Sequence, residues 1–189
     1  MRPSLVVIEG LDGTGKSTLA GKLAARMGAT LLRTPPAELA SVRPAIDAAF
    51  ARSPVAAQLF YGASVVHASD RARAILASGA PVVIDRYWLS TVAYAQCRDA
   101  HVDLSSVEPM LLRADLTVFL EVDERARRER LQARGMTAAD RDSVTQRDVL
   151  RSHYLSALDA SRLSGAVLRL DTSHATPEEL VERVLAEVA

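Results

Sequence analysis

The stretch Gly10-Leu11-Asp12-Gly13-Thr14-Gly15-Lys16-Ser17 decides the fold class of this chain. It satisfies every fixed position of GxxxxGK[ST], the pattern of a loop that wraps the phosphates of a nucleotide. An apolar run at 5–8 precedes the loop, and apolar side chains spaced as on one helix face follow it over 16–27. Glycine lets backbone N–H groups turn toward a phosphate, and the positive end of the following helix faces the same anion. The stretch therefore predicts binding of a nucleoside triphosphate.

Outward from this loop, predicted strands and helices alternate to the end of the chain. Short apolar runs typical of buried strands lie at 5–8, 29–32, 81–85, 116–122 and 166–170. Helices are predicted at 16–27, from Ser53-Pro54 to Ser78, at 124–134, after Asp140, and from Thr176 onward. This order predicts an α/β fold of the P-loop NTPase type, with three α/β/α layers and a five-stranded parallel sheet. No repeat or linker interrupts the pattern, so we expect a single domain over 1–189.

Composition narrows the possible partners. The chain has 189 residues, with 23 Lys+Arg against 23 Asp+Glu and only 4% aromatic residues. A neutral chain with few aromatic residues is a poor candidate for binding nucleic acid or an anionic membrane. The lone Cys97 cannot form a disulfide within the chain, no apolar run is long enough for a membrane span, and Met1-Arg2-Pro3-Ser4 does not begin a signal peptide. We expect a cytoplasmic protein whose partners are small molecules.

A carboxylate and an arginine follow the third predicted strand. Asp85 ends this strand, where parallel sheets place their ligands, and Arg86 comes next. Asp85 can hold Mg²⁺ together with the hydroxyl of Ser17, while Lys16 can reach the β- and γ-phosphates. The guanine motif NKxD of GTPases and the LSGGQ signature of transporter ATPases are both absent. These observations favour a small-molecule kinase, and they leave a non-catalytic nucleotide-binding module as an alternative.

Several segments together resemble the thymidylate kinase family. The matching segments occur in family order and are Glu9–Thr18 (phosphate loop), Asp85-Arg86-Tyr87 with Ala93-Tyr94 (the DRY…AY segment), Ala114–Val122 (a strand) and Arg134-Gly135 with Asp140-Arg141 (the lid). Within the family, Arg33-Thr34-Pro35-Pro36 and Asp85-Arg86-Tyr87-Trp88 look closest to the mitochondrial UMP/CMP kinase branch. The resemblance implies an ATP- and Mg²⁺-dependent transfer to a pyrimidine nucleoside 5′-monophosphate, a small helical lid at about 134–147, and a homodimer.

The resemblance also assigns roles to individual residues. The residues it places in catalysis are Lys16, Arg86, Arg134 and Arg141. Those it places at ATP are Gly10, Asp12, Gly13, Thr14, Gly15, Lys16, Ser17 and Thr18. Those it places at the acceptor are Asp12 near the sugar hydroxyl, Arg33 and Arg86 near the phosphate, Phe60 stacked on the base and Tyr94 beside the sugar. Ser17 and Asp85 are the expected metal ligands.

Two positions depart from the family pattern at the base. Ser64 and Val65 stand where the family usually has an arginine that bonds to the thymine edge, and Ala95 replaces a frequent Gln. The preferred acceptor could therefore be dTMP, dUMP, CMP, UMP or dCMP. A nucleoside kinase is a further alternative, although a neutral acceptor does not need Arg33 and Arg86.

The charged segment 123–148 contains arginines expected on a solvated helix surface and two arginines expected in the lid. Arg125, Arg127 and Arg128 are expected on a solvated helix face, paired with acidic residues one turn away. Arg134 and Arg141 lie beside Gly135 in the expected lid and are expected to act in catalysis.

Overall fold

The computed structural model describes residues 4–100, 102–104 and 106–188. The strands are β1 (Leu5–Gly10), β2 (Thr30–Arg33), β3 (Val82–Asp85), β4 (Leu116–Glu121) and β5 (Ala166–Asp171). The helices are α1 (Lys16–Met27), α2 (Arg43–Ala49), α3 (Pro54–Ala77), α4 (Trp88–Cys97), α5 (Glu124–Ala133), α6 (Ala138–Thr145), α7 (Arg147–Ala160) and α8 (Pro177–Val188).

The five strands form one parallel sheet in the order β2-β3-β1-β4-β5. In the strand register, Asp85 lies opposite Ile8 of β1 on one side and Arg33 of β2 on the other. The carboxyl ends of these three strands therefore meet at one edge, where parallel sheets bind ligands. The predicted fold class is confirmed.

Both faces of the sheet are covered by helices, which explains why the central strands are mainly apolar. On one face α1 and α8 pack on the sheet through side chains such as Leu23 and Val184. On the other face lie α3, α4 and α7, whose buried residues include Val65, Leu89 and Tyr154. Burial on both faces removes the polar alternation of a half-exposed strand and leaves continuous β-branched runs.

Two features of the helices differ from the prediction. The single helix expected after Asp140 is two helices, because α6 ends at Thr145 and α7 begins at Arg147. The residue between them, Gln146, accepts a hydrogen bond of 2.7 Å from Cys97 Sγ, so a contact with α4 marks the break. The predicted helices also include neither α2, which has a proline in its first turn, nor α4.

The helices described by the structure include none that is both long enough and apolar enough to cross a membrane.

Candidate functional site

The glycine-rich loop lies between β1 and α1, as the sequence predicts. Gly10, Gly13 and Gly15 all have positive φ values, of 140°, 85° and 93°. A Cβ atom on Gly10 would lie 2.5 Å from the carbonyl oxygen of Leu120, so a side chain does not fit there. Within the described part of the chain, the N–H groups of Gly13 and Gly15 have no hydrogen-bond acceptor. These free donors are what an anion-binding loop requires.

Lys16 is buried at the start of α1 and points back into the loop. Its Nζ donates a 2.6 Å hydrogen bond to the carbonyl oxygen of Leu11. Burial lowers the pKa of Lys16 to about 8, with a further lowering by the positive charge of Arg86. A phosphate beside Nζ would favour the charged form again, because an opposite charge opposes both causes. The negative charges of Asp12, Asp85 and Glu9 only partly oppose this lowering of the Lys16 pKa.

Ser17 and Asp85 meet at the carboxyl edge of the sheet. Ser17 Oγ donates a 2.6 Å hydrogen bond to Asp85 Oδ2, and the neighbouring Thr18 is exposed. Asp85 is only 5% exposed, yet its Oδ1 has no hydrogen-bond partner among the described residues. Burying a carboxylate oxygen without a hydrogen-bond partner costs free energy. A hydroxyl oxygen and a carboxylate oxygen side by side are ligands suited to Mg²⁺.

Asp12, Arg86 and Tyr94 form a polar cluster beside the loop. The Arg86 guanidinium forms an ion pair with Asp12, and Tyr94 donates a 2.5 Å hydrogen bond to the other oxygen of the same carboxylate. Burial raises the pKa of Asp12, but the positive charges of Arg86 and Lys16 outweigh it, so the pKa lies well below its usual range. Burial and the Asp12 charge raise the pKa of Tyr94, which therefore stays a hydroxyl donor.

The backbone of Arg86 is held in an unusual conformation. Its φ of 69° lies in the left-handed region, which a long side chain rarely adopts. Two hydrogen bonds fix it: Arg86 N donates to Ile8 O at 3.0 Å, and Thr34 Oγ1 donates to Arg86 O at 3.0 Å. Such conformations are concentrated at functional sites, and here the result is a guanidinium directed at Asp12.

A buried polar network behind this cluster was missed by the sequence reasoning. Glu9 is fully buried and accepts hydrogen bonds from the backbone N–H groups of Tyr87 (2.8 Å) and Ser90 (3.1 Å), at the start of α4. Burial raises the pKa of Glu9, which the hydrogen bonds from Ser90 only partly oppose. The hydroxyl of Tyr154 lies 2.9 Å from Ser90 Oγ and 3.4 Å from Arg86 Nη1. The network holds the start of α4 and Arg86 together.

Among the described residues, neither Arg33 nor Phe60, which were expected at the acceptor, forms a hydrogen bond or ion pair with the Asp12 cluster, although Arg33 lies opposite Asp85 in the sheet register. Arg33 is exposed and, among the described residues, forms no ion pair or side-chain hydrogen bond. It lines a cavity of about 390 Å³ at the edge of the sheet, together with His67 and Arg71 of α3. Phe60 is partly buried and packs edge-on against Tyr61, with ring centroids 5.2 Å apart.

Arg98 is a second residue that the sequence reasoning missed. Its guanidinium carbon lies 5.3 Å from the centroid of the Tyr61 ring and 5.9 Å from that of Tyr94, so this cation lies between α3 and α4. Its Nε and Nη2 atoms are buried and have no hydrogen-bond partner among the described residues. Burial lowers the pKa of Arg98. No motif includes this position, and only the tertiary packing reveals it.

The expected lid arginines are held within the lid segment itself. Arg134 donates a 2.5 Å hydrogen bond to Asp140, whose other oxygen accepts from the backbone and hydroxyl of Thr137 at the start of α6. Arg141 is exposed and donates to the carbonyl oxygen of Met136 at 3.3 Å. Neither arginine contacts the phosphate loop in this structure, although the charge of Arg134 contributes to lowering the pKa of Asp12.

The expectation of a solvated face on α5 is wrong for one of its three arginines. Arg125 and Arg128 are exposed and pair with Glu129 and Glu124, one turn away, as expected. Arg127 is fully buried and donates hydrogen bonds to the phosphate loop and to α6. A charged helical pattern cannot reveal that the phosphate loop and α6 bond to one of its side chains.

The sequence pattern of the Thymidylate kinase family matches residues 8–184. A Pyrococcus abyssi protein described as a probable thymidylate kinase is 29% identical over 203 aligned positions, which cover 100% of this chain and 97% of that protein. A Xylella fastidiosa thymidylate kinase is 28% identical, with 96% of this chain and 88% of that protein covered.

Solved structures show a similar fold. The thymidylate kinase from Candida albicans superposes with a TM-score of 0.77 at 22% identity, over 99% of this chain and 91% of that one. The thymidylate kinase from Ehrlichia chaffeensis gives a TM-score of 0.68 at 19% identity, over 100% of this chain and 98% of that one.

Proposed function

The chain belongs to the thymidylate kinase family, and from that premise we propose that it transfers the γ-phosphoryl group of ATP to a pyrimidine nucleoside 5′-monophosphate. The observation that carries the proposal is the convergence of Lys16, Asp85 and Arg86 at the carboxyl edge of the sheet, beside a loop with free N–H donors. Phosphoryl transfer depends mainly on positioning and on positive charge around the moving group. This edge supplies both.

On the donor side, the loop binds the phosphates of ATP. The N–H groups of Gly13 and Gly15 and the ammonium of Lys16 would bond to phosphate oxygens. We propose Ser17 and Asp85 as the ligands of Mg²⁺, which fits the partnerless Oδ1 of Asp85. When bound, Mg²⁺ neutralises charge on the β- and γ-phosphate oxygens.

On the acceptor side, Arg86 binds the monophosphate. In the ligand-free chain its charge is compensated by Asp12, and an incoming phosphate dianion can compete for the same guanidinium. Asp12 then bonds to a sugar hydroxyl, with the Tyr94 ring beside it, while Phe60 stacks on the base and Arg33 adds a second cation near the phosphate. The acceptor phosphate is already a nucleophile, so the reaction needs no general base.

The lid completes the site. We propose that the chain acts as one domain with a lid at about 134–147, and that nucleotide binding brings Arg134 and Arg141 over the moving phosphoryl group. Arg134 would exchange its bond to Asp140 for one to phosphate. An arginine at this place is worth about 10³–10⁵ in rate in related phosphoryl transfers. Closure also excludes water, which suppresses ATP hydrolysis.

Base recognition must differ from the family pattern, because Ser64 replaces the usual arginine. Ser64 Oγ donates to the carbonyl oxygen of Phe60 at 3.0 Å, so its own hydrogen is already used within α3. Arg98 offers two buried donors without partners, between Tyr61 and Tyr94. We propose that Arg98 takes part in acceptor selection, and the substrate range includes dTMP, dUMP, CMP, UMP and dCMP.

We further propose a homodimer in the cytoplasm. The family resemblance supports the dimer, and so do Val55 and Leu59, which lie one turn apart on α3 with 46% and 52% of their surface exposed. Sedimentation velocity of the chain at micromolar concentration tests this, because a monomer would contradict it.

The experiment that tests the proposed activity is ADP release from ATP and Mg²⁺ with each pyrimidine monophosphate in turn. We expect release that depends on the acceptor. Absence of acceptor-dependent release with the whole panel would refute the proposal.

A further inference from the structure

Arg127 joins three parts of the molecule through one buried guanidinium. Its Nε donates a 2.7 Å hydrogen bond to the carbonyl oxygen of Asp12, in the phosphate loop. Its Nη2 donates to Ser143 of α6, at 3.0 Å to the carbonyl oxygen and 2.6 Å to Oγ. Its Nη1 donates at 3.1 Å to Glu124, one turn earlier on α5. The side chain is fully buried, so none of its polar atoms is hydrated by solvent.

A buried charge of this kind is tolerated only when hydrogen-bond and ionic partners surround it. Removing an arginine from water costs several kcal/mol, which hydrogen bonds and the Glu124 carboxylate must offset. The planar fork of arginine directs separate N–H groups at the loop and at α6, whereas a lysine ammonium has one nitrogen to share. The position of α6 and the shape of the loop are therefore linked through this side chain.

The bond to Asp12 also determines the direction of a backbone N–H group that can donate a hydrogen bond to a phosphate. In a trans peptide the C=O and the following N–H point in opposite directions. Because the Asp12 carbonyl points to Arg127, the N–H of Gly13 points away from it, and this N–H is one of the donors without an acceptor in the described structure. The Arg127 stem also supports the peptide from behind, since a Cβ on Gly13 would lie 3.0 Å from Arg127 Cγ.

We propose that Arg127 is a positioning residue that orients the Asp12–Gly13 peptide for nucleotide phosphate binding and links this orientation to the lid helix α6. Arg127 does so without touching the nucleotide. The geometry stands on its own, while the kinetic consequences rest on the proposed kinase function.

The test compares Arg127→Lys with Arg128→Lys. Arg128 is a matched control because it is the next residue on α5 and pairs with the same Glu124, at 2.7 Å, but is exposed and does not bond to the loop or to α6. ADP with Mg²⁺ is titrated by calorimetry, which does not depend on turnover. We expect Arg127→Lys to weaken ADP binding about tenfold, equivalent to about 1.4 kcal/mol, and Arg128→Lys to leave it within about twofold.

Kinetics separate positioning from simple stabilisation. At 25 °C, Arg127→Lys should raise the KM for ATP and lower kcat, whereas Arg128→Lys should leave both within about twofold. It should also raise ATP hydrolysis without acceptor relative to transfer, because the lid is less well fixed. A lower Tm with unchanged ADP affinity and unchanged kinetics would show a purely structural role and overturn the proposal.

A milder variant covers the case in which Arg127→Lys fails to fold. Ser143→Ala removes only the 2.6 Å bond at the lid end. We expect it to weaken ADP binding about two- to threefold and to raise the hydrolysis-to-transfer ratio; wild-type values in both would refute the link. Failure of the wild-type chain to bind ADP would instead refute the proposed function.

Discussion

Replacing Asp85 with asparagine should separate catalysis from stability. The change Asp85→Asn removes a negative charge from a side chain that is 5% exposed and keeps its shape. It weakens the hydrogen bond from Ser17, a loss of about 1.5–3 kcal/mol for a bond to a charged group. It also relieves the burial of a charged oxygen without a partner, a gain of about 1–3 kcal/mol. These two contributions nearly cancel.

The free energy of unfolding of Asp85→Asn should therefore change by no more than about 1 kcal/mol, which is about 2–4 °C in Tm for a chain of this size. Catalysis should suffer far more, because charge stabilisation by a bound metal contributes several kcal/mol to the transition state. A loss of about 3 kcal/mol lowers kcat about 100-fold or more. The assays are ADP release with ATP, Mg²⁺ and a pyrimidine monophosphate, and thermal unfolding by calorimetry.

The matched control is Asp115→Asn, at the opposite end of the sheet. Asp115 Oδ2 accepts a 2.8 Å hydrogen bond from the backbone N–H of Leu5, far from the loop. We expect this variant to keep kcat within about twofold. If Asp85→Asn retained near-normal kcat, or if its Tm fell by 10 °C or more, on the order of 3 kcal/mol, the assignment of Asp85 would be wrong.

Four further variants test other parts of the site. Lys16→Ala should abolish measurable turnover while circular dichroism shows an intact fold, and a rate near that of the wild type would contradict its role at the phosphates. Arg141→Ala should lower kcat more than it raises the acceptor KM, and steady-state kinetics with the reverse pattern would move Arg141 to the acceptor site. Gly10→Ala should abolish ATP binding in a filter assay and lower Tm, because its Cβ would lie 2.5 Å from Leu120 O; normal binding would contradict the tight approach. Arg98→Met should change the ratio of kcat/KM between CMP and dTMP by about tenfold or more, the effect of about one charged hydrogen bond, and an unchanged ratio would exclude it from acceptor selection.

The parts of the site that lie next to one another in sequence could be predicted. The loop at 10–17 is recognisable because its glycines, lysine and serine act through local backbone geometry. Asp85 and Arg86 follow a strand directly, so the sheet edge fixes where they lie. In the structure the loop and these two residues do meet, with Ser17 bonded to Asp85 and Asp12 paired with Arg86.

The residues that sequence reasoning missed act through tertiary packing. Arg127 has the sequence surroundings of a solvated helix and becomes buried because the phosphate loop and Ser143 of α6 pack against it. The sequence around Glu9 does not indicate its hydrogen-bond donors, which lie about 80 residues away at the start of α4. The break at Gln146 has no glycine or proline to mark it, and a contact from Cys97 accompanies it. Local propensity cannot supply information of this kind.

The most direct test of the central claim is to identify the product by phosphorus NMR. The chain is incubated with ATP, Mg²⁺ and either CMP, UMP, dCMP, dUMP or dTMP, or with the matching unphosphorylated nucleosides. We predict that at least one monophosphate is converted to its diphosphate in step with ADP formation, and that the nucleosides are not phosphorylated. Conversion of the nucleosides with no reaction of any monophosphate would contradict the assignment of Arg86 to an acceptor phosphate, and with it the proposed reaction.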